Sequence, residues 1–434
     1  ETSSRSTKLI WAGIKYFATA TASLLSWNLL TNPAATLSEF RNEIAMVRHC
    51  HTERRYMLEQ NAHLCNWLPI AVPFTQWFVR PAPFGHPLFT LFPLLAPLVF
   101  KLYDALSGFS CPSSYIMSAK EAQRKFPQLQ NRNLKYCSVF YEAQHNDART
   151  NLAIALTAAE HGAHVCNYVE MVDVIWGDHC SDDGSNNRVV GIKARDCMTG
   201  DEFVIYSKQI IFAGGPFTDG LRKLEHRNQY DDDDLSDDER TNDTSTRSTK
   251  KRKMNDDKQQ YEFQSAVSGA SGTHIILPGY YCPSDMGLLD YNTSDGRFLF
   301  FIPWLQHTLV GTTDKQCPPQ TLPTPPEDEI SWLVQECSKY LSSDIRVRRS
   351  DVLSAWRGWR PLVKHDPNAQ CSTGDKGSGS DEAQEQHVSR DHIISHNPET
   401  GILFIAGGKW TTWREMAQDV VNRALLSCSK YKWR

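Results

Sequence analysis

Apolar residues near the end of the chain come first as a solid run and then at helical spacing. Ile402-Leu403-Phe404-Ile405-Ala406 reads as a buried strand and Gly407-Gly408 breaks it. Trp413, Met416, Ala417, Val420, Val421 and Ala424 then fall on one face of a predicted helix. A helix start carries unpaired N–H groups and a partial positive charge, and glycines there let an anionic or electron-rich ligand approach the backbone. Lys409 adds a full charge at that place. A tight structural turn accounts for the same residues, so the rest of the chain has to decide.

Upstream, Asn151 to His161 has a helix pattern, while Val189 to Ala194, Phe203 to Tyr206 and Gln209 to Ala213 read as strands, the last running into Gly214-Gly215-Pro216. This alternation predicts an α/β lobe with its ligand at strand C-terminal ends. Further strands are predicted at Thr273 to Leu277, Arg297 to Ile302 and Thr308 to Gly311. Pro326 and the acids Glu327, Asp328 and Glu329 open a helix whose buried stripe is Ile330, Leu333, Val334, Cys337 and Leu341.

Two stretches break the pattern. Leu88 to Phe100 is apolar but interrupted by Pro93 and Pro97, and is too short for a hydrocarbon core of about 30 Å. It is either an interfacial element, flanked by Trp77, Phe78, Arg80, Phe84 and Lys101, or a core segment. Residues 226 to 264 are nearly free of apolar side chains, with an acidic run from Asp231 to Glu239 ahead of Lys250-Lys251-Arg252-Lys253. Such a segment cannot bury enough surface to offset its ordering entropy, which predicts a disordered insertion; a nuclear-targeting run is the alternative for the basic residues. A second insertion is expected near 370 to 386.

Composition narrows the class. With 434 residues and 40% hydrophobic content, and a mean hydropathy of −0.46, the chain is globular, long enough for two lobes and not multispanning. A net charge of −4 gives no reason to expect nucleic acid. The 12 cysteines are scattered without metal-ligand spacing and read as reduced thiols. His49-Cys50-His51 reads as a helix surface, and no metal is expected. The chain starts at Glu1 within what reads as a structured segment, so a piece of a longer protein is expected.

Four cations sit in otherwise uncharged strand-like or turn-like contexts: Lys15 before Tyr16, Arg360 before Pro361, Arg390 before Asp391, and Lys409. A phosphate dianion or a carboxylate substrate would satisfy them, and so would structural salt bridges. His274, inside an apolar strand, is the candidate proton acceptor, with a satisfied core histidine as the alternative.

Ser4-Arg5-Ser6-Thr7-Lys8-Leu9-Ile10, Gln144-His145-Asn146-Asp147-Ala148-Arg149, Gly215-Pro216-Phe217-Thr218-Asp219, Gly272-Thr273-His274-Ile275, Pro278-Gly279-Tyr280-Tyr281, Gly311-Thr312-Thr313-Asp314, Arg360-Pro361-Leu362, Ser389-Arg390-Asp391 and Gly407-Gly408-Lys409-Trp410-Thr411-Thr412 stand in this order. Together they resemble the FAD-dependent glycerol-3-phosphate dehydrogenases, most closely the mitochondrial form, over nearly the whole chain outside the two insertions.

The resemblance implies a two-lobed flavoprotein of the D-amino-acid-oxidase type, combining α/β and α+β parts. A discontinuous, Rossmann-type FAD lobe would comprise 1–29, 143–225 and 387–434, with its N-terminal βαβ unit missing. An antiparallel-sheet substrate lobe would comprise 30–142 and 259–369, with a membrane-interface candidate at 84–106 and disordered insertions at 226–258 and 370–386. The implied reaction oxidises sn-glycerol 3-phosphate to dihydroxyacetone phosphate by hydride transfer to FAD, with electrons passing to ubiquinone. Its implied place is the mitochondrial inner membrane, as a peripheral, monotopic protein, and a homodimer is one assembly the resemblance allows. By position, Lys15, Tyr16, Arg360, Arg390 and Lys409 would hold substrate, and His274 and Arg360 would take catalytic roles. Ser6, Thr7, Lys8, Leu9, Gly215, Gly407, Gly408 and Thr411 would line the cofactor.

Three departures qualify the likeness. No G-x-G-x-x-G spacing occurs in the chain. Trp11-Ala12-Gly13 and Lys15-Tyr16 stand where the family carries His-Gly-Gly and Arg-Tyr, which predicts a tryptophan crowding the flavin and a lysine without bidentate geometry. The family's carboxyl-terminal helical domain is not among these residues. An oxidase that hands electrons to O₂ and a truncated non-catalytic relative therefore stay open as alternatives.

Overall fold

The computed structural model describes residues 2–24, 28–79, 87–130, 133–177, 188–225, 265–291, 293–294, 296–364, 388–389 and 392–430. The two expected insertions, Arg80, Phe84 and Arg390 lie outside the described residues.

Alternating side chains organise the centre of the molecule. Along Tyr136–His145, Tyr136 and Phe140 enter one core and Cys137 and Val139 a second. Along Leu299–Trp304, Phe300 and Ile302 enter the first and Leu299 and Phe301 the second. A strand that is apolar on both faces has to be covered on both. Helices Ile14–Leu24, Pro33–Gln60 and Phe92–Leu106 cover the first face, and Ala119–Lys125 and Glu327–Tyr340 the second. Glu327–Tyr340 starts where Pro326 predicts and buries Ile330, Leu333 and Cys337.

The sheet between these layers runs Leu9–Ile10, Tyr136–His145, Cys65–Phe74, Gly287–Asp290, Leu299–Trp304, His307–Gly311, Val267–Pro278, Ser354–Lys364, Val388–Ser389. Tyr115–Ser118 adds to Tyr136–His145, and Lys315–Gln316 to Val267–Pro278. Among the described strands its pairings are antiparallel, except that of Gly287–Asp290 with Cys65–Phe74. The strands predicted around 273–277, 297–302 and 308–311 are Val267–Pro278, Leu299–Trp304 and His307–Gly311.

Two smaller sheets flank it. His392–His396, Leu403–Gly407 and Ile211–Phe212 form one, in which the last two run parallel. Val169–Trp176, Val189–Asp196 and Glu202–Tyr206 form the other, entirely antiparallel. The α/β alternation expected across these strands is therefore not found there. Asp196 accepts from Met198 N at 2.7 Å, and Gly200 has φ +84, so a tight turn joins the second and third strands. A parallel pair needs a far longer crossover.

Other expectations also change. The proline-interrupted segment is a helix, Phe92–Leu106, preceded by a short turn at Pro87–Leu91. Pro93 sits in the first turn, where its missing N–H costs nothing. Pro97 lies inside and leaves the carbonyl of Pro93 without a helical donor; the Tyr136 hydroxyl supplies one instead. Including the preceding turn, Phe89–Leu106 is long and apolar enough to cross a membrane by length and composition, although 39% of it is buried. Cys50 and His51 are buried rather than on a helix surface. The helix Trp413–Lys430 buries Val420 but exposes Ala417 and Val421, so its apolar face is only partly covered.

Three histidines are buried and neutral. His51 Nδ1 accepts from Arg54 Nη2 at 2.8 Å, and burial followed by the Arg54 charge brings its pKa down to about 2. His145 lies 3.2 Å from the Thr150 hydroxyl, and burial brings it to about 4 against the pull of Asp147. Burial, then the charges of Arg360 and Lys8, bring His274 to about 3. In the unfolded chain each titrates near 6.5, so below that pH the unfolded state takes up protons that the native state refuses. Stability is thus complete above about pH 6.5 and falls as pH drops toward these lowered values, by up to roughly 1.4 kcal/mol per histidine per pH unit. Denaturant melts should show a lower midpoint at about pH 5.5 than at 7; equal midpoints would mean that the three rings reach water.

Candidate active site

Asp147 opens the helix Asp147–Glu160, where a carboxylate complements the exposed N–H groups. It is fully buried and binds the segment that precedes the first strand. Ser6 N and Oγ donate to Oδ2 at 3.0 and 2.8 Å, and Lys8 Nζ donates to Oδ1 at 2.7 Å. Lys8 has the left-handed φ of +61 and itself donates through its N–H to Ser6 Oγ at 2.9 Å. Its ammonium lies 5.1 Å from the centroid of Trp304 and 5.2 Å from that of Trp356, within cation–π range of both. Leu9 then enters the sheet opposite Gln144.

This course delivers Thr7 to His274. Thr7 Oγ1 and His274 Nε2 are 2.9 Å apart, and the imidazole stacks on Trp356 with centroids 5.2 Å apart at 11°. Trp356 Nε1 donates to Arg5 O at 3.2 Å. Gly358 is required by that approach, since a Cβ there would sit 2.4 Å from the same oxygen.

A second group forms where Leu403–Gly407 ends. Gly407 and Gly408 both have φ +82, and a Cβ on Gly408 would lie 2.3 Å from Met416 Sδ, so the second glycine lets the helix pack against its own entrance. Thr411 Oγ1 donates to Trp11 O at 3.0 Å and Trp410 Nε1 to Ser3 O at 2.9 Å, which ties the turn to the N-terminal segment. Lys409 Nζ stands 4.1 Å from the centroid of Tyr16, 3.3 Å from Met46 Sδ and 3.8 Å from Cys50 Sγ. Among the described residues no carboxylate pairs with it. Trp11, expected beside the cofactor, packs edge-on against Phe140, Phe298 and Phe300, with centroids at 6.1, 6.5 and 5.1 Å.

Arg360 lies across from Ala270 in the sheet. Its Nη1 donates to Asp314 Oδ1 at 2.6 Å and its Nη2 to Thr312 Oγ1 and Thr313 O, each at 3.2 Å. Gly272 leaves room for this, because a Cβ there would be 2.8 Å from Nη2. Behind it, buried Glu329 accepts from Thr313 Oγ1 at 2.6 Å and from Thr273 Oγ1. Arg357 Nη2 reaches Glu329 at 3.5 Å, which braces the loop that carries Asp314.

Of the residues singled out from sequence, the fold therefore joins Thr7 with His274, Tyr16 with Lys409, Ser6 with Lys8 through Asp147, and Thr411 with Trp11. Lys15 is exposed on the first turn of Ile14–Leu24, next to Tyr16 in the chain. Gly215, φ +55, opens a short turn beside the strands Leu403–Gly407 and Ser354–Lys364. A Cβ there would meet nothing within 4 Å, so this backbone is open to a ligand. Asp147 and Trp356 were missed. The aspartate reads in sequence as an ordinary first-turn acid, and nothing in sequence sets Trp356 apart from other strand tryptophans.

The profile of the FAD dependent oxidoreductase family matches residues 1–232 and 254–415. The mitochondrial glycerol-3-phosphate dehydrogenase of Rattus norvegicus is 38% identical over 425 residues, 98% of this chain and 48% of that protein. A mitochondrial glycerol-3-phosphate dehydrogenase of Arabidopsis thaliana is 35% identical over 432 residues, 98% of this chain and 55% of that protein. The chain thus spans about half the length of the curated relatives it matches. Among solved structures, the glycerol-3-phosphate dehydrogenase of Bacillus halodurans complexed with FAD shares the fold. Its TM-score is 0.61 at 21% identity, over 99% of this chain and 57% of that one. A match over most of its length and this shared architecture lead to one conclusion: the chain belongs to the FAD dependent oxidoreductase family.

Proposed function

We propose that the chain oxidises sn-glycerol 3-phosphate at C2 to dihydroxyacetone phosphate, with FAD as hydride acceptor and ubiquinone as the next electron acceptor. The observation that carries this is Lys409, a half-buried ammonium held by a tyrosine ring and two sulfur atoms, with no carboxylate paired to it among the described residues. A cation in that state favours an incoming phosphate. The relatives' names supply the substrate.

In this assignment Lys409, Tyr16 and Arg360 hold the substrate, together with Lys15 and Arg390. Arg360 already donates to Asp314, so a phosphate there shares the guanidinium with that carboxylate. Ser6, Thr7, Lys8, Leu9, Gly215, Gly407, Gly408 and Thr411 form the cofactor side, supported by the left-handed glycines and the open space at Gly215. FAD, when bound, supplies the hydride acceptor. His274, neutral because of burial and the charges of Arg360 and Lys8, is already in the acceptor form for the C2 hydroxyl proton. In this assignment the small sheet containing Leu403–Gly407 belongs to the FAD lobe, while the large sheet is shared: most of its strands belong to the substrate lobe, and Leu9–Ile10 and Val388–Ser389 to the FAD lobe.

The same proposal puts the protein on the surface of the mitochondrial inner membrane. Leu94, Leu98 and Leu102, four residues apart on Phe92–Leu106, are 48, 59 and 48% exposed. Trp77, Phe78 and Phe109 are exposed at the two ends of that helix. An apolar stripe with aromatic ends suits a bilayer interface.

Reduction of bound flavin by glycerol 3-phosphate tests the activity directly, and transfer to quinone rather than O₂ separates a dehydrogenase from an oxidase. Lys409→Met should weaken glycerol 3-phosphate binding by about 1.5 to 3 kcal/mol while leaving glycerol nearly unaffected. Equal losses for both ligands would remove Lys409 from the phosphate site. Leu98→Asp should release the folded protein from sedimenting liposomes; undiminished pelleting would move the membrane contact elsewhere.

A further inference from the structure

We infer that Glu142 is a positioning residue for Tyr16 and Lys409, acting through the backbone of the 11–13 turn; the inference rests on the substrate site proposed above. Glu142 lies at the heart of a buried polar group. Its Oε1 accepts from Tyr103 OH at 2.6 Å, and its Oε2 accepts from Arg54 Nη1 and from Ala12 N, the latter at 3.1 Å. Arg54 also donates to Tyr141 O at 3.1 Å and to His51 Nδ1 at 2.8 Å. Glu142, Arg54, Tyr103 and His51 are 0, 1, 1 and 3% exposed.

Such a group is a poor way to stabilise a core. Burying two charges costs desolvation that their attraction barely offsets, and apolar side chains of the same volume often do as well or better. Here Arg54 Nε and His51 Nε2 are also buried without a hydrogen-bond partner among the described residues. Burial pushes the Glu142 pKa up, while Arg54 and the Tyr103 and Ala12 donors pull it back. What the group does secure is the Ala12 N–H.

That bond fixes the approach to the substrate side. Gly13 follows with φ +93, and its carbonyl accepts from Tyr16 N at 2.9 Å, setting the first turn of Ile14–Leu24. Thr411 holds the Trp11 carbonyl on the other side of the turn. The turn is therefore clamped between Glu142 and the segment that carries Lys409, and Tyr16, on which Lys409 rests, is placed by that clamp. A shift of about an ångström in a binding group is enough to spoil a site.

The test is Glu142→Gln in the full chain, with Tyr103→Phe as a second variant that removes a single donor and keeps the ring. Amide exchange at 11–16 should speed up about tenfold relative to Leu299–Trp304, and in the FAD-loaded protein KM for glycerol 3-phosphate should rise about tenfold with kcat little changed. Tyr103→Phe should move both in the same direction by less, and it carries the test if Glu142→Gln does not fold. Wild-type exchange at 11–16 together with a lowered melting temperature would overturn the inference and leave a purely structural role. If wild type neither binds nor oxidises glycerol 3-phosphate, the proposed function fails, while the exchange result still judges the clamp.

Discussion

The carboxylate of Asp147 is the point on which the site depends. It gathers a backbone N–H and a hydroxyl from Ser6 and an ammonium from Lys8, two residues on, and so forces a left-handed step that the chain would otherwise avoid. The buried Lys8 charge is tolerated because its partner is opposite and two indole faces flank it. From this anchorage follow the register of Leu9 opposite Gln144, the meeting of Thr7 with His274, and the stacking of His274 on Trp356.

The cations singled out by their uncharged sequence contexts turn out to differ in kind. Arg360 is met by Asp314 and by the Thr312–Thr313 backbone and hydroxyl, so its charge is largely committed within the protein. Lys409 is held by soft, polarisable atoms that neutralise little. Sequence context cannot separate these cases, because Lys409 meets residues as far away in the chain as Met46, 363 positions off, and Tyr16, farther still.

Legibility followed the range of the forces involved. The strand 402–407 with its glycine break, the helix after Pro326 and the strands about 275, 300 and 309 were readable because period and turn chemistry are local. The sequence left Leu88 to Phe100 open between an interfacial element and a core segment, because a proline shows locally only what it removes from a helix, whereas Tyr136, from a strand 43 residues away, replaces the lost donor. The sheet containing 189–196 and 202–206 was misread because the tight turn after Asp196 was overlooked. At the site, the glycines and Lys409 were visible as a motif, while the partners that give Thr7, Tyr16 and His274 their positions were not, since they are set by sheet register.

The exchange of partners at Pro97 has a consequence for how the apolar helix is attached. An uninterrupted helix consumes its own carbonyls and offers a neighbouring sheet only side-chain contact, which slides easily. Here a main-chain oxygen is left over and taken by a phenol whose pKa burial pushes up to about 12, so it keeps its proton at any cellular pH. The helix is thereby pinned at a fixed azimuth, with Leu94, Leu98 and Leu102 pointing outward as a keel that cannot roll.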